Sequence, residues 1–150
     1  MMRVVCRDAA TTRSVGRHLA ALLRPGDVIL LAGDLGAGKT MFAGGIGEGL
    51  AVDAPVVSPT FVLVREYQGL LRMYHADVYR LGSSAEIEDL ELPTAAAEGV
   101  LVVEWGDVVS AVFGPDHLVV RFEVADDGTR TLSFEPRGSW TERDLAGVVP

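Results

Sequence analysis

Hydrophobic residues in this chain are grouped in short runs and in helical stripes, separated by polar and glycine-containing segments. Apolar runs rich in branched side chains predict buried strands at 27–32 and 99–105. A helix over 39–50 is indicated by apolar residues at every fourth position, namely Phe42, Ile46 and Leu50. Four glycines lower the intrinsic helix propensity of this segment. A buried strand followed by a helix is typical of α/β proteins.

The same patterns predict the remaining elements and the fold class. They are a strand at 2–7, a helix at 11–23, a hairpin of strands 61–67 and 70–74 joined at 68–69, a short acidic helix at 84–92, strands 117–124 and 129–135 paired across 126–128, and a short helix from 139. We therefore predict one α/β domain over residues 1–150, with a mixed parallel and antiparallel sheet flanked by helices.

A glycine-rich segment joins the predicted strand at 27–32 to the helix that follows. It matches the phosphate-binding pattern G-x-x-x-x-G-K-[ST] at Gly33, Asp34, Leu35, Gly36, Ala37, Gly38, Lys39 and Thr40. The main-chain amides of residues 36–40 can converge on an anion there, assisted by the helix dipole. Lys39 is the single lysine of the chain and would reach the β- and γ-phosphates of a nucleotide, while the Thr40 hydroxyl would face Mg²⁺. The segment predicts a P-loop site for a nucleotide and Mg²⁺.

Composition limits the functions that the chain can have. The protein has 150 residues, 49% of them hydrophobic, which is enough for one domain with a core. The formal net charge of −8 argues against direct binding of nucleic acid, which depends on clustered cations, so we expect any RNA role to act through a partner. No apolar run approaches about 18 residues, and no signal-peptide pattern is present, so we predict a cytoplasmic protein without membrane association.

Acidic residues near the ends of predicted strands are candidates for metal binding and hydrolysis. Glu104 ends the apolar strand at 99–105 and is our choice for a Mg²⁺ carboxylate, with Asp107 as the nearest alternative. The neighbouring Trp105 packs either on the nucleotide or only on the core.

Polar residues are concentrated at 75–80, directly after the predicted strand 70–74. Asp77 is suited to orient or deprotonate the attacking water or to hold a metal-bound water, and the alternative is an ordinary solvated loop acid. His75 and Arg80 are weaker candidates, because such side chains often have only a packing role. Thr60 lies in a loop that could sense a γ-phosphate, the alternative being a simple strand entry after proline.

Four motifs, GDLGAGKT, SPTF, HADVYRL and VLVVEW, occur in this order over most of the chain and together resemble the TsaE family, also called YjeE. The resemblance covers roughly residues 3–136. It implies a P-loop α/β fold and Mg²⁺-dependent ATP hydrolysis. It also implies a role in forming the threonylcarbamoyl group on the tRNA adenosine next to the anticodon. The implied partners are TsaB and TsaD, where TsaD performs the transfer and TsaE supports its turnover.

The resemblance also assigns roles to individual positions. It implies ATP binding by residues 33–40, metal binding by Thr40 and Glu104, a functional aspartate at Asp77, a switch-like threonine at Thr60 and a nucleotide-adjacent tryptophan at Trp105. Two positions depart from the family pattern. Met41 replaces a hydroxyl residue after the loop threonine, and residues 88–92 follow the acidic segment only loosely.

Three other functions compete with a partner-dependent ATPase. A small-molecule kinase would need an acceptor pocket and an arginine-bearing lid, and the sequence shows no arginine cluster suited to one. A GTPase would need a second lysine for the guanine-reading signature. An adaptor that binds ATP without turnover stays open, because bound nucleotide alone can stabilise a fold by roughly 4 kcal/mol when its concentration is about 1,000 times Kd.

Overall fold

The computed structural model describes residues 2–59, 64–78, 91–95, 97–105 and 112–150. The predicted candidates Thr60, Arg80 and Asp107 lie outside them. The strands are β1 (Met2–Cys6), β2 (Val28–Ala32), β3 (Val64–Tyr67), β4 (Met73–Asp77), β5 (Val100–Glu104), β6 (His117–Val124) and β7 (Arg130–Arg137). The helices are α1 (Ala9–Ala20), α2 (Lys39–Gly49) and α3 (Leu92–Ala95), with 3₁₀ turns at Gly138–Glu142 and Ala146–Val148.

The strands form one sheet in the order β1-β7-β6-β2-β5-β4-β3. Its centre is parallel, from β6 through β2 and β5 to β4, while β7, β1 and β3 add antiparallel edges. Glu104 at the end of β5 pairs in register with Leu31 of β2 and with Asp77 of β4. The carboxyl ends of three parallel strands therefore meet at one edge, where α/β proteins bind ligands. The predicted α/β class with a mixed sheet is confirmed.

Both faces of the central sheet are covered. Ile29 and Leu31 of β2 belong to a core shared with α1 and α2, whereas Val28 and Leu30 belong to a second core with Leu92 of α3. This alternation follows from the period of two along a strand. All five residues of β2 and of β5 are buried, as expected for strands covered on both faces.

Glycines allow helices α1 and α2 to pack closely. In the sequence, the glycines of α2 indicated only a lower helix propensity. A Cβ added to Gly16 of α1 would lie 2.3 Å from Phe42 O, and one added to Gly45 of α2 would lie 2.0 Å from Arg13 O. At Gly49 a Cβ would lie 2.4 Å from Ala20 Cβ. The predicted apolar stripe of α2 is fully buried, as expected.

The boundaries of α1 differ from the prediction of 11–23. The helix begins at Ala9, because the Asp8 carboxylate accepts a hydrogen bond from Thr11 N at 2.7 Å and caps the first turn. It ends at Ala20, because the amides of Leu22 and Leu23 donate three residues back in a 3₁₀-type ending.

The hairpin of β3 and β4 is confirmed, but its second strand lies later than predicted. Tyr67 pairs with Met73, so the connection is longer than the predicted two residues. His75 and Asp77 consequently belong to β4 itself and do not follow it. The reason is the parallel pairing of β4 with β5, a tertiary contact that hydrophobic periodicity does not reveal. Residues 61–63 of the predicted first strand lie outside the described residues.

Two further predictions need correction or lie partly outside the structure. The predicted acidic helix falls mostly on residues that are not described, and at its end Leu92 begins a helix instead of ending one. The predicted helix from residue 139 is replaced by the two 3₁₀ turns.

The pairing of β6 with β7 is confirmed, and β7 runs on to Arg137. Among the described residues, no helix has the length and apolar character that crossing a membrane requires.

Candidate functional site

The glycine-rich loop leaves β2 and enters α2 at the carboxyl edge of the sheet. Gly36 and Gly38 have φ values of 80° and 106°, in the region that glycine adopts without strain. The first helical hydrogen bond of α2 runs from Phe42 N to Gly38 O. The amides of Lys39 and Thr40 precede this bond, and no main-chain carbonyl of the described residues accepts from them. They are donors at the positive end of a helix dipole.

One of the five amides expected to converge on an anion is engaged elsewhere. The Ala37 amide donates to Asp34 O at 3.1 Å and closes a turn within the loop. For the described geometry, the expectation that Ala37 N–H faces the ligand is therefore corrected. The Ala37 side chain is buried, so this residue anchors the loop on the core.

Lys39 is held inside the loop by main-chain carbonyls and by an aromatic ring. Its Nζ donates to Gly33 O at 2.7 Å and to Asp34 O at 2.9 Å, and it lies 3.7 Å from the centroid of the Trp105 ring. Burial lowers the pKa of the Lys39 ammonium, and the negative charges of Glu104, Asp77 and Asp34 oppose that shift. A buried ammonium beside several acceptors is ready to exchange them for phosphate oxygens.

Glu104 lies at the centre of a buried polar cluster. Its carboxylate accepts from the Thr40 hydroxyl, with distances of 3.1 Å to Oε1 and 3.0 Å to Oε2. His75 Nε2 lies 2.6 Å from Glu104 Oε2 and donates to it. Glu104 is 4% exposed, so the alternative of a strand-end acid facing water is wrong. A hydroxyl and a carboxylate at this separation are two oxygen ligands of the kind that Mg²⁺ takes, with phosphate and water completing the shell.

His75 is a residue whose importance the sequence understated. His75 belongs to β4, its imidazole is fully buried, and among the described residues Nδ1 has no hydrogen-bond partner. Burial of a partly unsatisfied ring is costly, and the short bond to Glu104 offsets part of that cost. The geometry makes His75 the group that fixes the orientation of the Glu104 carboxylate.

Asp77 and Trp105 border the same cavity as the loop. The cavity has a volume of about 350 Å³ and is also lined by Lys39, Thr40 and Glu104. Asp77 is half-buried and lies beside Glu104 in the sheet register. Trp105 has a φ of 69°, a left-handed conformation that is rare for a bulky residue, and its amide donates to Leu31 O. Such strain is typical of functional positions, and the ring faces Lys39 as well as the core.

Arg130 is the residue that the sequence analysis missed entirely. It begins β7, 90 or more positions away from the loop in sequence, yet its Nε donates to Ala37 O at 3.0 Å and its Nη2 to Gly36 O at 3.0 Å. The only signal available was an arginine two residues after the Asp-Asp-Gly turn. No local sequence pattern indicates that this turn lies at the same edge of the sheet as the loop.

A cluster of three or more metal-ligating side chains is absent among the described residues. Thr40 and Glu104 stay the candidate metal ligands, a pair that is compatible with Mg²⁺ held largely by phosphate and water, while the alternative Asp107 lies outside the described residues. The site thus combines a helix amino terminus, one buried ammonium and a hydroxyl–carboxylate pair around one cavity.

Comparisons with known proteins agree with this arrangement. The family model described as "Threonylcarbamoyl adenosine biosynthesis protein TsaE" matches residues 6–132. A tRNA threonylcarbamoyladenosine biosynthesis protein TsaE from Streptomyces coelicolor is 45% identical over 117 residues, covering 75% of this chain and 79% of that protein. The Bacillus subtilis protein of the same name is 40% identical over 130 residues, covering 85% and 81%. The crystal structure of Bacillus subtilis YdiB matches with a TM-score of 0.76 and 33% identity, covering 91% of this chain and 86% of that one.

Proposed function

Since this chain belongs to the TsaE family of threonylcarbamoyl adenosine biosynthesis proteins, we propose that it is a Mg²⁺-dependent ATPase that supports formation of threonylcarbamoyladenosine on tRNA. The observation that carries the proposal is the convergence of Lys39, Thr40 and Glu104 on one cavity at the start of α2. Nucleoside triphosphates are the class of ligand that is bound by a helix amino terminus, an ammonium and a metal-binding pair of oxygens together.

The loop would bind the phosphates through its main chain. The amides of Lys39 and Thr40 are the donors best supported for this role, together with those of Gly36 and Gly38. Lys39 would release the carbonyls of Gly33 and Asp34 and turn its ammonium to the β- and γ-phosphates. Because the exchanged partners are neutral carbonyls, charge-assisted bonds to phosphate would be stronger.

Thr40 and Glu104 are the proposed Mg²⁺ ligands. When bound, Mg²⁺ would neutralise charge that develops on the phosphate oxygens during hydrolysis. His75 would keep the Glu104 carboxylate oriented, and the Thr40 hydroxyl, whose hydrogen is donated to Glu104, would offer an oxygen lone pair to the metal.

Asp77, Thr60 and Trp105 are proposed to complete the nucleotide site. Asp77 borders the cavity beside Glu104, a position suited to orienting or deprotonating water or to holding a metal-bound water. Thr60, which lies outside the described residues, keeps its proposed role as γ-phosphate sensor on the sequence pattern and the resemblance. The Trp105 ring, placed over Lys39, is proposed to pack near the nucleotide phosphates or ribose.

TsaB and TsaD are the proposed partners, with TsaD performing the transfer and this protein supporting its turnover. The net charge of −8 fits indirect action on tRNA, because a strongly acidic protein repels the phosphate backbone. We expect weak hydrolysis by the isolated chain, since the arginine that borders the cavity, Arg130, is occupied by main-chain carbonyls.

The test is steady-state ATP hydrolysis by the purified protein, alone and with TsaB and TsaD. We expect slow turnover alone and a rate increase of tenfold or more in the presence of both partners. Glu104→Gln in the same mixture serves as the inactive control. ATP binding without turnover in either condition would favour a nucleotide-binding adaptor, and phosphorylation of a metabolite by the chain alone would favour a kinase; either result would contradict the proposal.

A further inference from the structure

Arg130 connects the β6–β7 turn to the glycine-rich loop. As the first residue of β7, it pairs in register with Val124 at the end of β6 and with Cys6 at the end of β1. Because β7 runs antiparallel to β6, its first residue lies at the carboxyl edge of the parallel strands, next to the loop. The side chain crosses to the loop and borders the same cavity as Lys39.

The guanidinium makes a forked contact with two successive loop carbonyls. Nε donates to Ala37 O and Nη2 donates to Gly36 O, each at 3.0 Å, while Nη1 donates to Gly128 O at 3.0 Å. The third bond ties the arginine to its own turn, so the side chain is fixed at both ends. A planar fork of this kind is specific to arginine, since an ammonium cannot present two donors in the same fixed plane.

Holding these carbonyls fixes the direction of loop amides. In a trans peptide the C=O and N–H of one plane point in opposite directions, so fixing Ala37 O fixes the Gly38 N–H. Gly36 and Gly38 lack the side chains that would restrict their backbone, and each is free to adopt several conformations unless something outside the loop selects one. The Cδ and Nε of Arg130 would lie 3.4 Å from a Cβ added to Gly38, so the arginine packs directly against the residue that caps α2.

The charge of Arg130 also stays uncompensated at the rim of the cavity. Among the described residues, its hydrogen bonds go to carbonyls, and no carboxylate forms an ion pair with it. In a chain with a net charge of −8, a cation without a carboxylate partner favours an anionic ligand at this position.

We propose that Arg130 is a positioning residue that holds the phosphate loop in its anion-binding conformation before the ligand arrives. The inference rests on the proposed function, because it concerns the same phosphate site. If Arg130 has this role, binding of the nucleotide's phosphates depends on Arg130, whereas binding of its base and ribose does not.

The experiment compares ligand affinities of the full chain and its variants by calorimetry. The ligands are ATP and inorganic pyrophosphate, both without Mg²⁺. Arg130→Ala and Arg130→Lys remove the fork, the second with the charge retained. Arg137→Lys, at the other end of β7 and exposed in an ion pair with Glu135, is the matched control. We expect both Arg130 variants to lose roughly tenfold in affinity for both ligands, because two charge-assisted hydrogen bonds to the loop are lost or weakened.

Hydrogen exchange of residues 33–42 in the ligand-free proteins provides the second readout. We expect faster exchange in this segment for Arg130→Lys than for the wild type, while exchange in β2 stays unchanged. The control Arg137→Lys should keep the thermal midpoint of the wild type. If Arg130→Ala fails to fold, the affinities and the hydrogen exchange of Arg130→Lys still test the role of Arg130.

Three results would overturn the inference. They are wild-type affinity in Arg130→Lys, loss of ATP affinity with unchanged pyrophosphate affinity, and unchanged exchange in the loop. The second result would assign Arg130 to the base or ribose. A wild-type protein that binds neither ligand, and binds no ATP when Mg²⁺ is added, would overturn the proposed function as well, whereas equal binding by wild type and variants would overturn only the role of Arg130.

Discussion

Lys39 shows how a single residue is prepared for an anion by its surroundings. Its ammonium is almost completely buried, and its partners are two carbonyls and the face of Trp105. Burial lowers its pKa, while three nearby carboxylates act in the opposite direction and favour the charged form. The residue therefore carries a desolvated charge that a phosphate group can satisfy better than carbonyls can.

Lys39→Ala should raise the Kd for ATP by roughly tenfold to a hundredfold, because it removes the cation expected at the phosphates. Calorimetric titration measures this change. Arg17→Ala, which also removes one positive charge but from the exposed surface of α1, is the control and should bind ATP normally. Unaltered affinity in Lys39→Ala would contradict the assignment of the loop, provided that its thermal midpoint matches that of the wild type.

His75→Ala should raise the Mg²⁺ concentration that half-saturates ATP binding by about tenfold, since groups that orient metal ligands typically contribute that much to metal affinity. ATP affinity without Mg²⁺ should hardly change. His75→Gln, whose amide can still donate to Glu104, should recover part of the loss. His117→Gln at the amino end of β6 is the control for loss of a buried histidine. Equal Mg²⁺ titrations for His75→Ala and the wild type would show that His75 does not orient the Glu104 carboxylate for metal binding.

At the scale of elements, α2, the helix that follows the glycine-rich loop, packs closely against α1. Gly45 and Gly49 of α2 allow the two helices to approach within the space that a single methyl group would fill. Gly44 of the same helix faces open space, since no atom of the described residues outside its own helix lies within 4 Å of a Cβ placed on it. Adjacent glycines in one helix thus have opposite structural roles.

Gly45→Ala should destabilise the fold by about 2 kcal/mol or more, because the added methyl group overlaps Arg13 O and forces the helices apart. Gly44→Ala should instead stabilise it by up to about 1 kcal/mol through helix propensity. Urea denaturation of the two variants measures both effects. Similar stabilities for the pair would contradict the close approach of α1 and α2.

The elements also show what the sequence could and could not predict. The strand β5, the stripe of α2 and the phosphate loop were predictable, because burial, periodicity and the loop pattern are local signals. The position of β4 was predicted too early, since its pairing with β5 is a contact between residues 27 positions apart. The same limit hid Arg130, whose partners in the glycine-rich loop lie more than 90 positions away, and understated His75, whose role depends on the position of Glu104 in the neighbouring strand.

At the scale of the whole molecule, the two ends of the sheet have different roles. The carboxyl edge holds the cavity, while the amino end of β2 is tied to the segment after β7. Arg143 donates to both oxygens of the buried Asp27, at 2.6 and 2.7 Å, and its guanidinium lies 3.9 Å from the ring centroid of Trp140. This contact connects residues 116 positions apart and attaches the last segment to the core.

Arg143→Ala should lower the free energy of unfolding by about 3 kcal/mol, because it removes the charged partner of the buried Asp27 carboxylate, which would keep the hydrogen bond from Arg24 N. Urea denaturation measures the loss, and Arg137→Ala on the exposed surface of β7 should change stability by less than about 0.5 kcal/mol. ATP affinity at a temperature where the variant is folded should equal that of the wild type. A large loss of affinity would show that the two ends of the sheet are coupled.

The central claim is that Thr40 and Glu104 hold Mg²⁺ for a nucleotide bound at the loop, and one calorimetric comparison tests it most directly. A non-hydrolysable ATP analogue is titrated into the wild type and into Glu104→Gln, each with and without Mg²⁺. We predict that Mg²⁺ tightens binding to the wild type by about tenfold or more, and that the variant retains the metal-free affinity but loses this increment. The same Mg²⁺ increment in both proteins, or no binding by the wild type, would contradict the account.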